Sequence, residues 1–126
     1  MAKVKHIECK MFESSVYIFI GKTVELKSYI ENVIPEKYRI ILEDLEDLEE
    51  SRYDGVTYYC GNICIIRVNN FSDLSILIHE LMHATYRILN IHDINLDHST
   101  NEVYAYMIGY LTKEALNKKD YEIYKK

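Results

Sequence analysis

Apolar and polar positions along the chain change period several times, and each change marks an element. Residues 16–20, Val-Tyr-Ile-Phe-Ile, are a β-branched and aromatic run stopped by Gly21, which predicts a strand. A weaker strand is predicted over residues 3–11, with Ser14 and Ser15 as the turn between the two. Thr23 is placed to cap a helix reaching about Val33, closed by Pro35. A second helix is predicted over residues 36–50, because Ile41, Leu45 and Leu48 fall at i, i+4 and i+7. Residues 56–60 and 63–68 flank Gly61-Asn62, a pair suited to a type II′ hairpin turn. Ser72 or Asp73 then caps a helix over residues 74–90. Beyond a loop over residues 91–98, Ser99 with Glu102 predicts a capping box opening a last helix over residues 100–117. Without repeat or linker, the reading is one α+β domain over residues 1–126: a small twisted sheet with an edge hairpin, packed on the last two helices.

Composition narrows the class. With 48% hydrophobic and 28% charged residues and a single Pro, the chain has the makings of a packed core, not of a disordered segment. A net charge of -5 argues against nucleic-acid partners, which call for the opposite sign. The apolar runs are far too short to span a bilayer, and the start leads into no signal-peptide core, so a cytoplasmic location without membrane partners is expected. Cys9, Cys60 and Cys64 are odd in number and lack framework spacing, which reads as free thiols. The acidic run of Glu43, Asp44, Glu46, Asp47, Glu49 and Glu50 reads as the solvated face of the second helix.

One segment carries chemistry. His79-Glu80-Leu81-Met82-His83 matches H-E-x-x-H on a stretch already read as helix. Residues four apart lie about 40° apart around a helix axis, so both imidazoles can reach one Zn²⁺ as two corners of a tetrahedron. Glu80 is then placed to take a proton from a water that the zinc acidifies. By composition alone the pattern is expected about 0.02 times in this chain. Leu77, Leu81, Ala84 and Ile88 lie nearly opposite the histidines, which predicts a core face beneath them and a cleft above.

A catalytic zinc needs a third protein ligand, and the downstream candidates are His92, Asp93, Asp97, His98 and Glu102. With Asn101-Glu102-Val103-Tyr104-Ala105 after the motif, the chain resembles the gluzincin metallopeptidases, and within them small phage- and prophage-encoded zinc peptidases. In that family a Glu follows the motif after 18 or 19 residues, often within Asn-Glu-x-x-Ala; here 18 residues intervene. The resemblance implies a zincin-like fold, His79, His83 and Glu102 as zinc ligands, Glu80 as general base, and cleavage within a peptide or protein chain. It also implies a substrate that joins the strand before the metal helix, here Ile63–Val68, as an extra edge strand.

The chain departs from the family in lacking a Gly-x-Met-x-Asn stretch and any His after His98. Tyr106, one turn beyond Glu102, and Tyr86, near the histidine face, are the candidates to stabilise an oxyanion in place of that His. Two other arrangements stay open. His98, 15 positions after His83, has a spacing similar to that of SprT-like proteases and is the alternative third ligand. The chain could also be a binding or inhibitor module that holds zinc and cuts nothing. The metzincin pattern fails, since position 89 is Leu.

Overall fold

The computed structural model describes residues 1–46 and 54–125. Five strands, β1 (Ala2–Cys9), β2 (Ser14–Ile20), β3 (Gly55–Cys60), β4 (Ile63–Val68) and β5 (Glu122–Tyr124), form one mixed sheet in the order β3-β4-β2-β1-β5. Among the described residues four α-helices, α1 (Thr23–Asn32), α2 (Ile41–Glu46), α3 (Leu74–Asn90) and α4 (Asn101–Leu116), join the sheet in an α+β architecture. β2 pairs with β4 in parallel, and the other neighbours run antiparallel.

Each sheet face carries its own apolar cluster. Ile7, Val16, Ile18, Cys64, Ile66 and Val68 face α3 and α4, meeting Leu77, Leu81, Ala84, Ile88, Met107 and Leu111. On the other face Val4, Phe19, Ile63 and Ile65 meet Leu26, Ile30 and Tyr29 of α1 and Ile41 and Leu45 of α2. The sheet is therefore covered on both sides. β4 has covered faces and paired edges, and all six of its residues are buried. Even Arg67 is inside, its Nη1 donating to Gly21 O at 3.1 Å and Asn69 Oδ1 at 2.7 Å.

This order corrects the expectation for Ile63–Val68. That segment lies between β3 and β2 and offers no edge; the edge beside α3 is β3. The hairpin itself forms in the expected register, Cys60 opposite Ile63. Gly61 has φ +56° at its first turn position, where a type II′ turn needs a positive value.

Elsewhere the boundaries shift. Between β1 and β2 the chain turns through a 3₁₀ segment, Lys10–Phe12, with Glu13 at φ 49°, so Ser14 and Ser15 belong to the strand. The predicted helix over 36–50 instead winds first as a 3₁₀ turn, Glu36–Tyr38, in which Tyr38 N–H bonds back to Pro35 O and Arg39 N–H to Glu36 O. α2 follows; Leu48, Asp47, Glu49 and Glu50 lie outside the described residues. α1 starts at Thr23, with Lys22 at the cap and its N–H bonded to Glu25 Oε1 at 3.0 Å. Among the described residues no helix is long and apolar enough to cross a membrane.

Candidate active site

α3 begins where the cap places it: Asp73 accepts from Ser75 N–H at 3.0 Å, and the Ser75 hydroxyl and N–H hold the Asp73 carboxyl below its usual range. Leu77, Leu81, Ala84 and Ile88 are buried against the sheet, as their spacing requires. That face fixes the rotation of the helix and turns His79 and His83 outward, both exposed. Arg87, further along, locks the helix to the hairpin: Nη2 donates to Gly61 O at 3.2 Å and the guanidinium lies 5.2 Å from the Tyr59 ring.

The two imidazoles meet. Nε2 of His79 and Nε2 of His83 are 3.1 Å apart. Two nitrogens at about 2.0–2.1 Å from one tetrahedral ion are separated by about 3.3–3.4 Å, so the observed spacing is slightly shorter than, but close to, what a shared ion needs. With no ion between them the same separation suits a hydrogen bond from one ring to the other.

Glu80 is buried in the seam between α3 and β3, where only 7% of it is exposed. Thr57 of β3 donates to Glu80 Oε1 at 2.8 Å, while Oε2 lies 3.9 Å from His79 Nε2. One carboxylate oxygen is thus fixed and the other is turned towards the histidines. Gly55 makes this seam possible. A Cβ there would stand 2.6 Å from Ile76 Cγ2 and 3.2 Å from Glu80 Cγ, so only glycine lets the strand approach. A cavity of about 310 Å³ opens here, lined by Asp54, Gly55, Ser75, Ile76, His79 and Glu80. Thr57 and Gly55 carry no motif signal in the sequence.

The downstream candidates are placed differently. Glu102 is exposed in the first turn of α4 and His98 is exposed in the loop before it. Among the described residues, no group of three or more His, Cys, Asp or Glu side chains gathers as a metal site, so neither joins the histidine pair here. The Ser99–Glu102 capping box is not formed. Asp97 Oδ1 takes the N–H groups of Ser99 at 2.7 Å and Thr100 at 3.1 Å, and the helix is capped at Thr100 without a side-chain bond. The Ser99 N–H that a capping-box Glu102 would bond is therefore already taken. His92 is engaged elsewhere, its Nδ1 2.8 Å from Ile88 O and its ring 5.3 Å from Phe12.

Tyr86 stacks edgewise on Tyr104 at 5.4 Å, and Tyr104 donates to Ile94 O at 2.6 Å. Tyr106 is 78% exposed and lines a different cavity, between β1 and α4, away from the histidines. The helical spacing that aligned Tyr106 with Glu102 says nothing about which side of α4 faces α3. Cys9, Cys60 and Cys64 are free thiols, and burial pushes Cys9 up to about 11 and Cys64 to about 12. Comparisons of the chain with family models, with curated proteins and with solved structures find no match, so the site stands on its own chemistry.

Proposed function

We propose that the chain is a zinc-dependent endopeptidase of zincin-like fold, in which His79 and His83 hold the ion and Glu80 is the general base. The observation that supports this best is the pairing of two imidazole nitrogens 3.1 Å apart with a buried carboxylate whose second oxygen is 3.9 Å from one of them. Those residues suit Zn²⁺, which takes neutral imidazole and carboxylate ligands, and Glu102 supplies the third ligand in this reading. A divalent ion held there polarises a carbonyl and acidifies water.

The chain's own groups do the rest. Glu80 Oε2 removes a proton from the attacking water and returns it to the leaving amine. Thr57 keeps the carboxylate from rotating away, and the seam between α3 and β3 shields it from bulk water. The substrate backbone pairs with the outer edge of β3, the strand next to Glu80, in place of the expected β4.

Glu80→Gln tests the roles directly. It keeps size and loses basicity, so hydrolysis of a peptide library should vanish while one zinc per chain remains by elemental analysis. A variant that loses zinc as completely as His79→Ala would show that Glu80 is a ligand and not the base.

A further inference from the structure

Among the described residues, β1 has a half-open outer edge. β5 pairs only with Ala2, Lys3 and Val4, although β1 continues to Cys9. Which groups are left over follows from the ladder. Ser15 N–H donates to Asn62 O and Gly21 N–H to Val68 O, both at 3.0 Å, so the odd residues of β2 turn towards the β4 side. The even ones, Ser14, Val16, Ile18 and Ile20, then bond to Cys9, Ile7, Lys5 and Lys3 of β1. The N–H and C=O groups of His6 and Glu8 are therefore turned outward, beyond the end of β5. The Tyr110 hydroxyl, donating to Glu8 O at 2.8 Å, confirms the direction.

Below this edge runs a cavity of about 810 Å³, with Ile7, Phe12, Val103, Tyr106, Met107 and Tyr110 in its walls. Met11 at 88% exposure and Tyr106 at 78% stand beside it. A strand edge flanked by large exposed apolar side chains, with no proline to block it, is a pairing surface.

We propose that this edge joins a second copy of the same chain, β1 to β1 about a two-fold axis, making one continuous sheet. The outward groups allow antiparallel registers centred on His6, Ile7 or Glu8. Centring on His6 pairs Val4 with Glu8, and β5 already holds Val4. Centring on Glu8 sets two Glu8 carboxylates opposite each other, which is repulsive. Centring on Ile7 sets His6 of each copy opposite Glu8 of the other, and each such pair exchanges both backbone hydrogen bonds. Glu8 O retains a second lone pair for this beside Tyr110. In this register the paired stretch runs from His6 to Glu8, ending before Lys5, where Tyr121 leads the chain into β5. The two Ile7 side chains meet on the α4 face, above the apolar cavity.

The experiment is sedimentation equilibrium of the full chain over a range of micromolar concentrations. The expected mass is twice 15.0 kDa. His6→Glu should weaken the dimer about tenfold or more, since it sets two carboxylates opposite each other, and Glu8→Lys should weaken it through the facing His6. Combining both substitutions should restore the dimer, because the carboxylate introduced at position 6 then faces the ammonium introduced at position 8. That recovery also shows that both substitutions together are compatible with the fold. A parent chain that stays monomeric, a dimer indifferent to His6→Glu, or a double variant that fails to recover would each overturn the proposal. Neither residue touches His79, Glu80 or His83, so the outcome is independent of the peptidase reading.

Discussion

Thr57 Oγ1 sits 2.8 Å from Glu80 Oε1 and 3.2 Å from Glu80 O, so the one hydroxyl proton of the edge strand goes to the nearer acceptor and holds the carboxylate of the motif's acidic residue. The carboxylate is buried, and a buried oxygen without a donor costs about 1–3 kcal/mol. Thr57→Val keeps the shape and removes the donor. Urea unfolding should show a loss of about that size. The kcat for peptide hydrolysis should drop about tenfold or more with KM little changed, because the substitution frees the carboxylate to rotate without touching substrate. A rise in KM with kcat intact would instead place Thr57 on the substrate.

Gly55→Ala is expected to be disproportionately harmful for one methyl group. The new Cβ would meet Ile76 Cγ2 at 2.6 Å, forcing α3 away from β3. The expected cost is about 1–3 kcal/mol, read from thermal or urea unfolding. The same change at Gly109, whose added Cβ meets nothing within 4 Å, should be neutral or slightly stabilising in its helix.

Zinc affinity separates the third-ligand alternatives. The Ser99 N–H is already bonded to Asp97, so capping makes no demand on the Glu102 carboxylate, which rides on a regular helical turn. Glu102→Ala should lower zinc affinity at least about tenfold in a competitive titration, whereas His98→Ala should leave it nearly unchanged. The opposite ranking would favour the SprT-like arrangement. Chelation should remove the metal from the parent, and affinity should fall as the pH drops and the imidazoles protonate.

The buried thiols set an alkaline limit on stability. Burial raises Cys9 from 9.0 to about 11 and Cys64 from 9.0 to about 12, so above pH 9 the unfolded chain releases these protons before the native one does. The unfolded state then binds fewer protons, and stability falls as pH rises through this window. Stability from these groups is complete below pH 9 and is lost towards pH 11–12. Urea midpoints measured from about pH 8 to about pH 11 should decline, less steeply in Cys64→Ala after correction for its cavity. Thiol labelling of the native chain should proceed first at Cys60, the half-buried one of the three.

Local chemistry was legible in the sequence wherever the deciding atoms lie within a few residues of one another. α3 runs over Leu74–Asn90 as predicted, because the Asp73 cap and the apolar spacing of Leu77, Leu81, Ala84 and Ile88 act within single turns. Gly61-Asn62 likewise specified its hairpin, and four-residue spacing alone was enough to bring His79 and His83 together. Where competing local bonds existed, the choice was not visible. Asp97 took the Ser99 N–H in place of Glu102, and 3₁₀ winding replaced the first turns of the helix expected from residue 36.

Tertiary structure alone decided which strand is an edge. The six apolar-rich residues of β4 have the same pattern whether one neighbour pairs with them or two, and the parallel match of Ser15 with Ile63 joins segments far apart in sequence. The same holds for the three-residue β5, too short to carry a period, and for Thr57 and Gly55, whose roles exist only once β3 lies against α3. It holds also for Tyr106, which helical spacing aligned with Glu102 and packing placed beside β1. Periodicity reports how much of a side chain is buried; which element buries it depends on burying both faces of the sheet at once, a property of the whole chain.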